Sequence, residues 1–188
     1  MSYWLDLAGS YIIGGMVVLM IAMLNTHVVS SSINVTNENI AQGNLKAVKD
    51  VINSDFYKIG YWLNSQSIAQ ADSDKIKFYS DLDNNGIIDT VYYYPGTTSQ
   101  LTSTKNPNDK PLYRKVNNNL LTLIAATKFK LAYYDSLGRQ LDYVSLSSQT
   151  QRDFIRSVQV YLKVESSEPN DNVYQGAEWL GKVTPKNL

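Results

Sequence analysis

The stretch Asp81-Leu82-Asp83-Asn84-Asn85-Gly86-Ile87-Ile88-Asp89 is where residue types and spacing come closest to chemistry. Asp81, Asp83 and Asn85 set oxygen ligands at alternate positions, Gly86 stands where a loop must turn sharply, and Asp89 closes the run. That is the first half of an EF-hand-type Ca²⁺ loop. The twelfth position, however, is Tyr92 instead of a bidentate glutamate, and both flanks alternate as strands do. An EF-hand is therefore ruled out. Two readings remain, a β-loop that binds Ca²⁺ weakly through Asp81, Asp83, Asn85 and Asp89, and a hairpin turn in which Asn and Gly supply positive φ.

Little else in the chain suggests reactivity. There is no cysteine, which excludes disulfides, thiolate catalysis and cysteine-bound metals. The single histidine, His27, lies just beyond an apolar run with no second strong ligand or nucleophile nearby, and reads as a boundary residue. No phosphate-binding loop is present. Seventeen basic residues balance seventeen acidic ones, so no nucleic-acid partner is expected. The expectation is a protein that is not an enzyme.

The elements that must carry these residues begin with the N-terminus. Leu7–Leu24 contains no charge and no proline, and is apolar all the way round. It is long enough to cross a bilayer as one helix, and must be buried in lipid or among other helices. Asp6 stands at its start, where a carboxylate costs a few kcal/mol if it enters hydrocarbon and little if it stays among head groups. Gly14 and Gly15 permit close helix packing or loosen the helix. A secretory signal is the weaker reading, because MSYWLD brings no base and the run exceeds the usual apolar core.

Helical spacing continues past the run. Apolar residues recur at Val29, Ile33, Ile40, Leu45, Val48, Ile52, Phe56 and Ile59, with Gly60 as a stop. Ser30–Asn39, rich in Ser, Asn, Thr and β-branched residues, is where this helix can kink or melt. Unbroken, residues 3–59 would form a rod on the order of 80 Å long. From residue 75 the period becomes two. Ile76 and Phe78 lead into the acidic turn, and Val91 and Tyr93 leave it, which makes a hairpin. Residues 95–110 read as an exposed loop, 112–116 as a strand, and 120–126 as strand or connector. Phe129, Leu131 and Tyr133 form a strand that turns at 135–138, and Val158, Val160, Leu162 and Val164 form another. Residues 166–188 read as a polar tail anchored by Trp179 and Leu180. The plan is α+β: an apolar helix over 1–29, its amphipathic continuation over 30–60, and an antiparallel β head over 61–188.

In that order the pieces resemble a type IV pilin or pseudopilin, a minor pilin-like protein in particular. DVINSDFYKIGYW (50–62) is similar to the end of the family's long helix, and KFYSDLDNNGIIDTVYYY (77–94) to its strand–acidic turn–strand unit. FKLAYYDSLGRQL (129–141), IRSVQVYLKV (155–164) and the ending VTPKNL resemble its later strands and terminus. The resemblance implies a structural subunit of a type IV pilus-like or pseudopilus filament, partnered by copies of itself or related pilins. Such a subunit resides in the inner membrane before assembly and at the cell surface afterwards. The family's leader ending in Gly and its Phe-Thr-Leu-Ile-Glu-like start are missing here, which puts prepilin peptidase processing in doubt. With Met1 removed, Asp6 takes the fifth place, where the family's glutamate pairs with a neighbouring subunit's amine. Ser2 would then supply that amine. The competing reading is a monomeric, single-pass membrane-anchored extracytoplasmic module that binds Ca²⁺.

Overall fold

The computed structural model describes residues 2–63 and 66–188, the side chains of Ser2 and Leu5 excepted. A single helix, α1 (Ser2–Tyr57), runs for 56 residues, about 84 Å at the usual rise. It has two environments. Ala41, Leu45, Val48, Ile52 and Phe56 are buried against the head at spacings of three and four, the period of one helix face. Towards the N-terminus the apolar side chains meet nothing. Ile12, Leu19 and Leu24 are 60–65% exposed, and none of the most apolar 18-residue window is buried. The buried stripe is shorter than the spacing implied. Val29, Ile33 and Ile40 stay exposed, and Ala41 is the first residue of the helix buried against the head.

The helix remains regular through Ser30–Asn39. Local and long-range bonds offset the poor propensity of this stretch. Thr36 Oγ1 donates to the Ser32 carbonyl at 2.8 Å. Asn170, in the connection 166–175, donates through Nδ2 to Ser30 O (3.0 Å), Ser30 Oγ (2.8 Å) and Asn34 Oδ1 (2.9 Å). Ser30 Oγ in turn donates to Asp171 Oδ2 at 2.9 Å. Beyond Tyr57 the chain turns at Gly60, which has φ +77°. A Cβ there would lie 2.7 Å from Ser67 Oγ, so both backbone and space require glycine.

The head contains two antiparallel sheets. The first runs in chain order through β1 (Ile68–Ala71), β2 (Ile76–Ser80), β3 (Asp89–Pro95), β4 (Lys110–Val116) and β5 (Asn119–Ala126). The second holds β6 (Lys128–Tyr134), β7 (Ser157–Glu165) and β8 (Gly176–Val183). A short helix, α2 (Gln149–Arg152), lies between β6 and β7. Alternation places Ile76, Phe78, Val91, Tyr93, Phe129, Leu131, Tyr133, Val158, Val160 and Leu162 in one core with the helix stripe. Phe56 seals the junction, meeting Phe78 and Tyr93 edge-on at 5.8 and 5.4 Å between ring centroids.

One stretch is decided between its two sequence readings, and two others differ from the sequence expectations. Residues 119–126 are a strand, β5, paired along β4. The stretch around β1 shows no alternation long enough to signal a strand, yet it pairs with β2 through a bulge between Ile68 and Gln70. Residues 166–188 are no mere tail, because β8 pairs with β7 from Val158↔Val183 to Glu165↔Gly176. Trp179 packs against the core while Leu180 is 64% exposed, so Leu180 is not an anchor.

Candidate functional site

The acidic loop joins β2 to β3, whose register ends at Ser80↔Asp89. That pairing fixes the two ends of the loop side by side, and Asn84 (φ +61°) and Gly86 (φ +82°) fold the chain between them. As a result the carboxylates of Asp81, Asp83 and Asp89 lie within 4.8 Å of one another. Asp81 and Asp89 are buried and Asp83 is exposed. Asp81 is cradled by backbone, its Oδ1 accepting from Asn85 N at 3.1 Å and its Oδ2 from Gly86 N at 2.9 Å. Asp83 Oδ1 also accepts from Asn85 N, at 3.2 Å. Asp89 Oδ2 accepts from Leu82 N at 3.2 Å, and its Oδ1 accepts from Asn117 Nδ2 at 2.7 Å.

Three of the four residues expected to bind metal thus converge. Asn85 takes another part: its Oδ1 accepts from Ile87 N at 2.7 Å and its Nδ2 donates to Asp83 Oδ2 at 2.9 Å. Among the described residues no ion pair reaches the three carboxylates. Lys58 Nζ approaches the loop but donates to the Leu82 carbonyl. Each carboxylate oxygen has a second lone-pair direction beyond its present donor. An all-oxygen cluster of three carboxylates suits a hard cation such as Ca²⁺.

The residues expected in assembly lie on the stem. Asp6 is exposed, and its backbone carbonyl accepts from Ser10 Oγ at 3.0 Å. Gly14 and Gly15 have nothing within 4 Å of where a Cβ would stand, so the surface there is open. The backbone of Ser2 belongs to α1, but its side chain, like Met1 altogether, lies outside the described residues.

One buried charged network was not anticipated from the sequence. Asp55 on α1 accepts from Arg114 Nε on β4 at 2.6 Å and from Arg114 Nη2 at 3.1 Å. It also accepts from the Tyr93 hydroxyl on β3 at 2.6 Å. The fork is bidentate, the geometry in which arginine binds carboxylate best. Burial, followed by the Asp55 charge, pushes the Tyr93 phenol well above its usual range. Hydrogen bonding to Asp55 raises the Arg114 guanidinium, which therefore stays charged. A signal was present: Asp55 falls three residues after Ile52, on the buried arc, and Arg114 shares strand parity with Leu112.

Comparison with protein-family models, with curated proteins and with solved structures gives no match.

Proposed function

We propose that this chain is a pilin-like structural subunit that polymerises through its N-terminal helix into a type IV pilus-like or pseudopilus filament. The observation that supports this most strongly is the stem. Its large apolar side chains from Tyr11 to Val35 are exposed. Exposed apolar surface of this extent must be removed from water. Lipid serves before assembly, and a bundle of identical or related stems serves afterwards. In this reading the unassembled subunit resides in the inner membrane and the assembled one in an extracellular filament at the cell surface. Asp6 pairs with the amine of a neighbour's Ser2 once Met1 is removed, and Gly14 and Gly15 let stems approach closely. The role is structural and not enzymatic.

Electron microscopy of sheared surface material, with mass spectrometry of its subunits, tests this reading. The expected result is fibres containing this chain. Protein found only in membranes, monomeric under mild cross-linking, would replace it with the second reading. That second reading is a single-pass anchored extracytoplasmic module, and the convergence of Asp81, Asp83 and Asp89 favours it by offering a Ca²⁺ site independent of assembly.

A further inference from the structure

A second acidic feature lies where the 95–110 loop meets α1 and the end of β7. A cavity of about 420 Å³ opens there. Ile40, Leu101 and Ile124 give it an apolar wall, and Asn44 and Ser103 give it amide and hydroxyl groups. Three acids line it, Asp109, Glu165 and Glu168, and no lysine or arginine does. Two of the three are compensated. Glu165 bonds Lys163 Nζ through Oε1 at 2.6 Å and Asn106 Nδ2 through Oε2 at 3.1 Å. Glu168 pairs with Lys105 at 2.7 Å. Asp109 is not compensated. It is 2% exposed, its Oδ2 accepts from Thr104 Oγ1 at 2.7 Å, and its Oδ1 has no hydrogen-bond partner among the described residues.

A buried carboxylate oxygen without a donor is costly, and a second carboxylate nearby makes it costlier. We propose that this cavity receives an aliphatic primary ammonium group, with Asp109 as its counter-charge. A divalent metal fits less well, because both oxygens of Glu165 are already engaged, Glu168 is paired with Lys105, and Asp109 Oδ1 is the one buried carboxylate oxygen without a partner among the described residues. An ammonium head brings three donors for the hydroxyl and amide oxygens of Ser103 and Asn44, and its charge offsets that of Asp109 behind them. Its carbon stem lies along the apolar wall, as lysine stems do. A lysine side chain of an adjacent polypeptide and a free alkylamine share this chemistry.

The full-length isotope-labelled protein, unassembled in detergent micelles at neutral pH, is titrated with Nα-acetyl-lysine methylamide while backbone amide shifts are followed. The uncharged norleucine analogue is the control. Saturable shifts around residues 37–44, 101–109 and 164–168 are expected with the lysine probe alone. They should vanish in Asp109→Asn, whose melting temperature shows that it is folded. Equal responses to both probes, no response at millimolar concentration, or an unchanged response in the variant would overturn the proposal. So would a carboxyl-carbon shift showing Asp109 to be a neutral acid at pH 7. With a positive titration, zero-length carbodiimide coupling in native membranes distinguishes the sources. A product joining Asp109 to another chain's lysine assigns a protein partner, and its absence assigns a small amine. Because the titration uses unassembled protein, its failure would leave the filament reading untouched.

Discussion

Asp55 carries a charge into the core, and Arg114 and Tyr93 make that arrangement stable by saturating it. Breaking a buried pair strands the remaining charge, so Asp55→Ala is expected to lower stability by about 3 kcal/mol. Tyr93→Phe removes one hydroxyl and should cost about 1 kcal/mol. Replacing both charged partners, Asp55→Leu with Arg114→Met, should recover much of the loss, because no unpaired charge is left behind. Denaturation of the full chain in micelles checks all three. Asp109 behaves in the opposite sense. Burial first, and Glu165 next, raise its carboxyl above the usual value, against the Thr104 hydrogen bond. Its folded-state pKa therefore exceeds its unfolded one, and its contribution to stability is fully present below the unfolded value. That contribution is lost as pH rises through the folded value. Asp109→Asn should accordingly raise the melting temperature at pH 7 by roughly 2–4 °C, about 1 kcal/mol for a chain of this size. Near pH 3 the gain should disappear, and a gain that is the same at both pH values would contradict the assignment.

Among the elements, the β2–β3 hairpin and the connection before β8 carry distinct tasks. The hairpin brings three carboxylates within 4.8 Å of one another. If Ca²⁺ binds there, calcium at a hundredfold excess over its dissociation constant stabilises the protein by about 2.7 kcal/mol. Asp83→Ala should abolish the gain, and melting curves with calcium and with chelator provide the measurement. Identical curves for the native chain would remove the site. The 166–175 connection holds α1 below the head through three hydrogen bonds from a single amide, Asn170 Nδ2. Asn170→Ala should leave the head folded but speed amide exchange in residues 30–37. The sequence there has weak helix propensity and little packing to replace the lost contacts.

At the scale of the whole molecule, a rigid rod carries a head at one end and leaves its other half bare. Burial against the head begins at Ala41, so the core of the head does not depend on cover of the stem. A charge in mid-stem should therefore separate the two. Val18→Asp, at a residue 66% exposed and far from the head, is expected to abolish filaments and weaken membrane retention together. The cost of a carboxylate at that depth, about 3 kcal/mol, would be met in lipid and in a stem bundle alike. The melting temperature of the head should not move. Fibres assembling normally from this variant would show that the stem is not their core.

The sequence by itself determined the parts of this protein whose signal is local and periodic. The stem is legible because eighteen consecutive uncharged residues can only be hidden by something outside the head. The helix stripe through Leu45, Val48, Ile52 and Phe56, and the alternation through Val158–Val164, are legible because one face is buried and the other wet. The acidic turn is legible because its ligands are close in sequence and a hairpin brings its ends together. Tertiary structure decided what depends on partners distant in the chain. Strand β8 hides in the sequence because apolar Leu180 stands on its exposed face and Gly181 on its inner one, and only β7 makes it a strand. Ser30–Asn39 stays helical because a loop about 140 residues away ties it down. Asp55 finds Arg114 across 59 residues, and Asp109 meets Glu165 only where the 95–110 loop closes on β7. Hydrogen bonds and charge pairs act over a few ångströms in space, whatever the separation in sequence, and it is the fold that supplies that proximity.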